Sequence, residues 1–322
     1  MNYKTKKFFY QQRYLFLSFL CCASILILVL ALRRIYPFGD RTILRVDLFH
    51  QYAPFLEELR SRILNGQSLM YSWEGGLGKE FLSQFAYYTA SPISFLILLF
   101  PQSALPEAMA CFICLKICLC SVSCSFYLRE HFKKNDLSVL IFGLLYAFCA
   151  FMTGFYWNVM WLDSVALFPL IALAVEKLIH ENRHVFYYVT LTITIIVNFY
   201  MAVLICIFTA FWYLIVLFSG YTWKQNSDII ISRSVKFTVI SILAAVSSLF
   251  ILLPVSSALG QTAASEAAFP ELELYRNIFQ LFTCHFIGAR PSVLARNEDF
   301  PNLYTGLLTL LLLPAYYTSP AG

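Results

Sequence analysis

The first apolar run of the chain, residues 14–32, reads YLFLSFLCCASILILVLAL and contains no charged residue. Its length is close to the roughly 20 apolar residues that a helix needs to cross the hydrocarbon core of a bilayer. A basic arm that ends at Arg13 precedes the run, and Arg33 and Arg34 follow it, where a secretory signal would carry a cleavage site of small residues. We therefore expect an uncleaved first membrane span whose N-terminus lies in the cytoplasm.

The composition of the whole chain agrees with a membrane protein. Of the 322 residues, 60% are hydrophobic and 13% are charged, about half of the roughly 25% charged residues in soluble proteins. So little polar surface excludes a cytosolic enzyme, and the 17% aromatic content excludes a disordered chain. The net charge of +5 is carried by short basic clusters between apolar runs, which indicates contacts with lipid headgroups rather than with nucleic acid. The sequence thus predicts an all-α, polytopic transmembrane helical bundle.

The apolar runs predict a single membrane domain, residues 1–322, with about eight transmembrane helices. The predicted spans are residues 14–32, 107–128, 137–156, 164–178, 185–197, 201–219, 236–255 and 303–317. Residues 85–100 form a shorter run with Ser91-Pro92 at its centre, so we expect a half-membrane segment that starts at this dipeptide and does not cross. Two long outer loops remain, 37–106 with a helix near 54–64, and 256–302.

The distribution of basic residues supports this topology. The three basic loops 129–134, 177–183 and 224–236 then all face the cytoplasm, as the positive-inside rule requires. If residues 85–100 crossed the membrane, the first of these loops would lie outside. Arg33 and Arg34 are the exceptions, because they lie at the outer end of the first span.

The densest group of candidate functional residues follows the first span. Residues 39–52 read GDRTILRVDLFHQY, which places two acids, two arginines and a histidine just beyond the membrane surface. A solvated loop with ion pairs is the simplest explanation from composition alone. The alternation of the acids with apolar residues, together with Tyr52 and Pro54, instead favours a folded turn that packs on the membrane domain.

Neither the cysteines nor the histidines indicate a metal site. Nine of the ten cysteines lie inside apolar runs. On a helix, Cys111 and Cys114 share one face while Cys120 and Cys124 point the other way, so four thiolates cannot converge. Small packing residues are the simpler explanation. His50 and its neighbouring acid have no third ligand at a recognisable spacing. We expect no cofactor. A requirement for a divalent metal is left as an alternative, although no motif indicates a metal site.

A series of motifs in order along the chain resembles the bacterial YfhO-type membrane proteins. The motifs are PFGD at 37–40, LRVDL at 44–48, QYAPF at 51–55, YSWEGGLG at 71–78, YYTASP at 87–92, Leu115-Lys116 within a span, MWLD at 160–163, FPL at 168–170, NFY at 198–200 and PNLYTG at 301–306. They cover nearly the whole chain. Members of that family are longer and carry an outer C-terminal region, and this chain stops in Ser-Pro-Ala-Gly just after an apolar run. We therefore expect it to be truncated at its C-terminus.

The resemblance implies a GT-C-like fold and a glycosyltransferase of the bacterial cell membrane. Such enzymes take a sugar from a polyprenyl-phosphate carrier at the outer membrane face and attach it to a cell-envelope acceptor, which is lipoteichoic acid in some members. Their catalytic acid typically lies in the first outer loop, where this sequence has Asp40 and Asp47. We predict Asp47 as the catalytic base and Asp40 as a supporting acid. The implied partners are the lipid-linked sugar, an envelope polymer and membrane lipids.

The chemistry of this transfer places its own requirements on the neighbouring residues. The acceptor hydroxyl needs a carboxylate that takes its proton, and the departing phosphate needs cations or oriented donors. The predicted substrate-binding residues are Arg33, Arg34, Arg45, His50, Gln51, Tyr52, Trp73, Lys116 and Asp163. Several have structural alternatives: Lys116, within a span, could snorkel or pair with Asp163, the two arginines after the first span could hold lipid phosphates, and Trp73 could belong to the interfacial aromatic belt.

A transporter or flippase of a lipid-linked saccharide is the rival class, because it too would place polar groups within spans. A transporter typically shows repeat halves and helices interrupted at mid-membrane. No repeat is evident, and the acids concentrate in an outer loop, which favours the enzyme. A non-catalytic truncated product is a third possibility.

Overall fold

The computed structural model describes residues 3–261, 277–286, 288–289, 292 and 301–319. The fold is 76% helical, which confirms the predicted all-α bundle. The α-helices, numbered in chain order, are α1 (Tyr3–Leu32), α2 (Ala53–Leu64), α3 (Phe81–Gln84), α4 (Leu105–Phe132), α5 (Leu137–Ala147), α6 (Ala150–Phe155), α7 (Leu162–Glu181), α8 (His184–Val197), α9 (Phe199–Gly220), α10 (Trp223–Ser247), α11 (Leu249–Leu259), α12 (Ile278–Thr283) and α13 (Leu307–Thr318). One antiparallel hairpin pairs β1 (Tyr71–Ser72) with β2 (Lys79–Glu80).

Helices α4 and α7 form the centre of the bundle. Helix α4 packs against α1, α5 and α7, and α7 packs in addition against α8 and α9. Small side chains allow these close approaches. Gly143 of α5 lies against α4, where an added Cβ would come within 2.8 Å of the Ser121 carbonyl oxygen, and Ser18 of α1 shares a 2.7 Å hydrogen bond with Ser125 of α4. Large apolar side chains on the outer faces of α1, α9 and α10 are exposed, as is expected where lipid is the solvent.

Five helical segments in the described part of the chain are long and apolar enough to cross a membrane. They are Gln11–Leu32, Gln102–Phe132, Leu137–Phe155, Phe199–Gly220 and Trp223–Ser247. A bent segment over residues 81–99 adds a sixth if its two arms count as one span. The other predicted spans correspond to α7, with 20 residues, and to the shorter α8 and α13, with 14 and 12 residues. The total of about eight spans stays a prediction.

The prediction of a basic loop over residues 224–236 is wrong, because these residues belong to helix α10. Charge alone does not end a helix, because Lys, Arg and Gln have favourable helix propensities. Here Arg233 and Lys236 both donate hydrogen bonds to the side-chain oxygen of Asn182, just past the end of α7. Two residues connect α9 to α10, and a kink at Asn226, whose backbone is not helical, separates the first turn of α10 from the rest of the helix.

The predicted span 236–255 is also divided differently in the structure. The apolar run is broken at Ser248, where α10 ends and α11 begins. The membrane-length segment is therefore α10, whose start lies 13 residues before the predicted one. The apolar run indicated the helix but not where it begins and ends.

Residues 81–99 form two arms that meet at a bend of 96°. The first arm is α3 continued by a π-helical turn over Phe85–Thr89, and the second is a 3₁₀-helix over Pro92–Leu99. Ser91 lies at the bend, and its hydroxyl accepts a hydrogen bond from the Ile93 N–H at 3.2 Å, which caps the second arm. At about 2 Å per residue the second arm is about 16 Å long, half of the roughly 30 Å hydrocarbon core. This geometry fits the predicted half-membrane segment, and the bend lies at the predicted dipeptide.

The segment between α1 and α4 is folded rather than a loose loop. Helix α2 confirms the helix that the sequence predicts near 54–64. Its Glu58 carboxylate accepts hydrogen bonds from Arg62, Ser72 and Gln84, so it joins α2 to β1 and α3. Burial raises the pKa of Glu58, but these three hydrogen bonds outweigh burial and hold the pKa below its ordinary value. A buried charged network thus anchors the segment that carries the candidate site.

Candidate functional site

A short loop closes the end of α1 and carries one of the arginines of the site. Hydrogen bonds run from Tyr36 N to Arg41 O at 2.9 Å and from Arg41 N to Arg34 O at 3.0 Å. Gly39 packs directly on the backbone of Arg34, where an added Cβ would lie 2.5 Å from the carbonyl oxygen. The loop therefore folds back on the helix end, and Arg41 lines the same cavity as Arg33.

Asp47 lies where this loop enters the core. Val46 has a left-handed backbone with φ of 49°, and a π-helical turn over Leu48–Tyr52 follows Asp47. Leu48 is fully buried, whereas Asp47 is half-buried and its side chain does not cap the turn. Among the described residues its carboxylate has no ion-pair partner within 4 Å. The turn thus fixes the backbone of Asp47 and leaves its carboxylate open to a substrate.

Aromatic side chains pack beneath Asp47. The buried Tyr52 donates a 2.8 Å hydrogen bond from its hydroxyl to Oδ1 of Asn158, and its ring stacks on Trp157 with centroids 6.2 Å apart. Tyr88 packs on the other side and donates a longer bond, 3.5 Å, to Oε1 of Gln51. Burial, and after it the negative charge of the nearby Asp47, raises the pKa of Tyr52. The phenol is therefore a neutral hydrogen-bond donor that holds the turn to the α6–α7 connection.

A cavity of about 580 Å³ opens between α1, α4 and the break between α5 and α6. Its walls inside the bundle are apolar and include Leu26, Leu30, Ile113, Ile117 and Met152. Its rim carries Arg33, Arg41 and Arg45 together with Thr42 and Tyr156. We name it the arginine-rimmed cavity. An apolar cavity with a cationic rim suits a ligand that has a hydrocarbon chain and an anionic head.

The three arginines of the rim are not neutralised by the protein. None of them has a carboxylate within 4 Å in the part of the chain that the structure describes. Arg45 donates a long hydrogen bond, 3.5 Å, to the Tyr156 hydroxyl, and its guanidinium lies 5.9 Å from the centre of that ring. A guanidinium presents several N–H donors in a planar fork that matches phosphate oxygens. The rim can therefore bind a phosphate without first breaking an ion pair.

Lys116 and Asp163, two predicted substrate-binding residues, pair with each other. Lys116 Nζ lies 2.6 Å from Asp163 Oδ2 and donates a second bond to the Val159 carbonyl at 3.0 Å. The other carboxylate oxygen accepts a 2.8 Å bond from the Ser91 hydroxyl. The two charged side chains are 2% and 8% exposed. Since each already has partners within the protein, the arrangement favours the structural alternative, a buried pair that joins α4, α7 and the bend at Ser91.

Of the eleven predicted site residues, Arg33 and Arg45 line the arginine-rimmed cavity, whereas the other nine, Asp47 among them, are not part of its described lining. Four of these nine are exposed side chains. Asp40 and Arg34 are exposed in the loop after α1. His50 is exposed and packs edge-on against the ring of the preceding phenylalanine. Trp73 is 77% exposed in the hairpin, where it contacts the tyrosine of β1. The structure does not bring these four side chains to the rim, and their roles stay predictions.

The structure adds residues that the sequence did not single out. Arg41 completes the rim, Tyr156 contacts Arg45, and Asn158 accepts the bond from Tyr52. Arg41 was within the polar stretch 39–52, but nothing in the pattern separates it from a solvated arginine. Asn158 lies in the short segment between the predicted spans 137–156 and 164–178, which carries no Lys or Arg. A polar side chain between two tryptophans in that segment was the available signal.

The described residues contain no group of three or more His, Cys, Asp or Glu side chains that could hold a metal ion. The ten cysteines are free thiols. Seven of them lie on α1 and α4, and three of these seven, Cys22, Cys118 and Cys120, are buried.

Comparison with known families gives the class of this membrane protein. The family described as the bacterial membrane protein YfhO matches residues 18–321. The chain belongs to the YfhO family. The resemblance seen in the sequence motifs is thereby confirmed, and the YfhO family is associated with glycosyltransferase activity. Together with the apolar helices, membership shows a multi-pass membrane protein. No curated protein and no solved structure is detectably similar.

Proposed function

We propose that this YfhO-family protein transfers a sugar from a polyprenyl-phosphate carrier to a polymer of the cell envelope, such as lipoteichoic acid, at the outer membrane face. The observation that carries the proposal is the arginine-rimmed cavity, which combines apolar walls with three unpaired guanidinium groups. A polyprenyl phosphate has the same two parts, a hydrocarbon chain and an anionic head. Asp47 lies two residues beyond Arg45, half-buried at the start of the π-helical turn and next to the lining of the cavity in sequence.

Asp47 is proposed as the general base. Its carboxylate takes the proton of the acceptor hydroxyl while the acceptor oxygen forms a bond to the anomeric carbon of the sugar. The bond from that carbon to the phosphate oxygen breaks in the same process, and the sugar develops oxocarbenium character. The absence of an ion pair on Asp47 among the described residues supports this role, because a carboxylate held by an arginine is a weaker base.

The arginines of the rim are proposed to hold the phosphate before and after the transfer. The lipid phosphate carries more negative charge once the sugar has left, so cations at this position stabilise the transition state more than the bound donor. Apolar walls keep the isoprenoid chain in the cavity and leave the head at the rim. Tyr52, through its bond to Asn158, keeps the turn with Asp47 in place.

The decisive experiment compares Asp47→Asn with the unchanged protein in liposomes that contain a radiolabelled polyprenyl-phosphate sugar and an envelope-polymer acceptor. Loss of the base should lower the transfer rate by about 10²–10⁴-fold with little change in the KM for the donor. Arg41→Gln should instead raise that KM by about tenfold, because a hydrogen bond to a charged group contributes about 1.5 kcal/mol. Asp228→Asn is the matched control, since Asp228 is an exposed acid on α10, remote from the rim.

The same assay separates the enzyme from the rival class. A flippase of the lipid-linked saccharide would move the labelled lipid between leaflets without forming a product and would not need Asp47 as a base. Transfer at a near-normal rate by Asp47→Asn, at a normal protein level, would eliminate the base assignment, and Asp40 would be tested next. Lipid translocation without any product would favour the flippase.

A further inference from the structure

A second cavity lies at the end of the bundle opposite to Asp47, between the ends of α4, α7 and α9. Its volume is about 340 Å³. Its floor is apolar and is formed by Leu173, Trp212, Ile215 and Val216. Its rim is charged and is formed by Glu130, His131, Lys133, Glu176, Lys177, His180 and Glu181. None of these residues takes part in the site around Asp47.

The acids of this rim are already paired. Glu130 contacts both Arg129 and Lys177, with N–O distances of 3.2 and 3.0 Å. Glu176 lies 2.8 Å from the His131 ring and accepts a 3.0 Å bond from a tyrosine hydroxyl of α4. The third acid, at the end of α7, pairs with Arg183 at 2.9 Å. Glu130 and Glu181 are therefore neutralised by basic side chains, and Glu176 is already held by two hydrogen bonds.

Two rim residues keep unsatisfied cationic or donor groups. Lys133 and His180 have no carboxylate within 4 Å in the described part of the chain. Lys133 ends α4 with a left-handed backbone, φ of 53°, which fixes its position at the rim. The His180 ring stacks on Tyr221, with centroids 6.3 Å apart, so its orientation is restricted. With Arg129 and Arg183, the partners of two rim acids, four Lys or Arg side chains stand against three glutamates, so the net charge around the rim is +1 with the histidines neutral.

We propose that this cavity binds the headgroup of an anionic phospholipid. Lys133 and His180 would contact the lipid phosphate, and the apolar floor would receive the upper part of the acyl chains. Basic pockets between transmembrane helices are suited to anionic headgroups. The indole N–H of Trp212 is already bonded to the Ala172 carbonyl at 3.3 Å, so the ring offers only its apolar surface. A soluble anion would use the rim but not this floor, which is the argument for a lipid.

The test uses the fluorescence of Trp212, obtained as the difference between the protein and Trp212→Phe in bilayers of phosphatidylcholine. Brominated phosphatidylglycerol should quench this signal at a mole fraction about fivefold lower than brominated phosphatidylcholine, the preference expected from about one cation at a membrane surface. In the double variant Lys133→Gln with His180→Gln, the two brominated lipids should quench the Trp212 fluorescence equally. Lys134→Gln is the matched control and should keep the preference, because this exposed neighbour does not line the cavity.

A second measurement does not depend on the tryptophan. Native mass spectrometry of the protein extracted from mixed-lipid bilayers should show a retained phosphatidylglycerol that the double variant loses and Lys134→Gln keeps. Equal quenching by the two brominated lipids in the unchanged protein would overturn the proposal. Relief of the quenching by inorganic phosphate would overturn it as well, and would assign the rim to a soluble anion.

Discussion

At the scale of single residues, Tyr52 links the candidate base to the bundle. Its hydroxyl and Asn158 are both buried, and they satisfy each other through a 2.8 Å bond. Tyr52→Phe leaves the amide oxygen of Asn158 buried without this donor, at a cost of about 1–3 kcal/mol. We expect a lower midpoint of thermal unfolding in detergent and a slower transfer, because the turn that carries Asp47 loses its tie.

The control for this prediction is Tyr88→Phe. Tyr88 has the same side chain and packs in the same cluster, but its bond to Gln51 is long, 3.5 Å, and only partly buried. Its removal should shift the unfolding midpoint by less than the removal of the Tyr52 hydroxyl. Equal shifts for the two variants would show that the Asn158 bond has no special part in holding the turn.

Single residues are also where the sequence alone falls short. The stretch 39–52 was identified as the candidate site from its density of charges, and it does carry Arg41, Arg45 and Asp47. The pattern could not tell that Arg41 faces the cavity while Arg34 does not. That difference depends on the fold of the loop over Gly39, a contact between backbone atoms that side-chain patterns do not show.

At the scale of elements, the Lys116–Asp163 pair holds three segments together. It connects α4 to the start of α7, and through Ser91 to the bend between the two short arms. Removal of one member leaves an uncompensated buried charge, so Lys116→Met and Asp163→Leu should each destabilise the protein by about 3–5 kcal/mol. The double variant should lose much less stability than the sum of the losses in the two single variants, because it leaves no buried charge.

This double-mutant cycle, followed by thermal unfolding and by sugar transfer, separates the two explanations of Lys116. If the pair is structural, the double variant regains both stability and transfer. If Lys116 binds the substrate phosphate, the double variant regains stability and stays inactive. Additive losses of stability in the two single variants would contradict the pairing itself.

Elements were predicted best where the chain has local punctuation. Ser91-Pro92 indicated the bend, because proline lacks an N–H and serine caps the following arm. Helix α2 lies where the sequence predicted a helix, and Pro54 is in its first turn, where a proline is well tolerated. The boundaries failed at α10, where basic residues were taken as a loop although charge alone does not end a helix. Which helices meet at the arginine-rimmed cavity depends on long-range packing, and a single sequence does not contain that information.

At the scale of the whole molecule, the bundle has two chemically different ends. One end carries Asp47, the arginine-rimmed cavity and the hairpin. The other end carries the cluster 129–134, the end of α7 and the first half of α10. Lys177 of α7 donates a hydrogen bond to Glu130 of the cluster, and two basic side chains of α10 donate hydrogen bonds to Asn182 after α7. The candidate chemistry and most of the short basic segments thus lie at opposite ends of the bundle. The proposed use of an outer-face lipid donor requires that the first of these ends lies outside.

That orientation can be measured with two exposed positions, one at each end. Asn65, between α2 and the hairpin, and Lys134, between α4 and α5, are both exposed and distant from the cavities' floors. With Asn65→Cys, a membrane-impermeant thiol reagent should label intact cells, because the positive-inside rule places the basic end in the cytoplasm. With Lys134→Cys, labelling should appear only after permeabilisation. The unchanged protein is the control, since its ten free cysteines lie mostly in apolar helices. Labelling of Lys134→Cys in intact cells, with Asn65→Cys protected, would reverse the topology. In that case the arginine-rimmed cavity would open to the inner leaflet, and a transfer at the outer face would be impossible for Asp47.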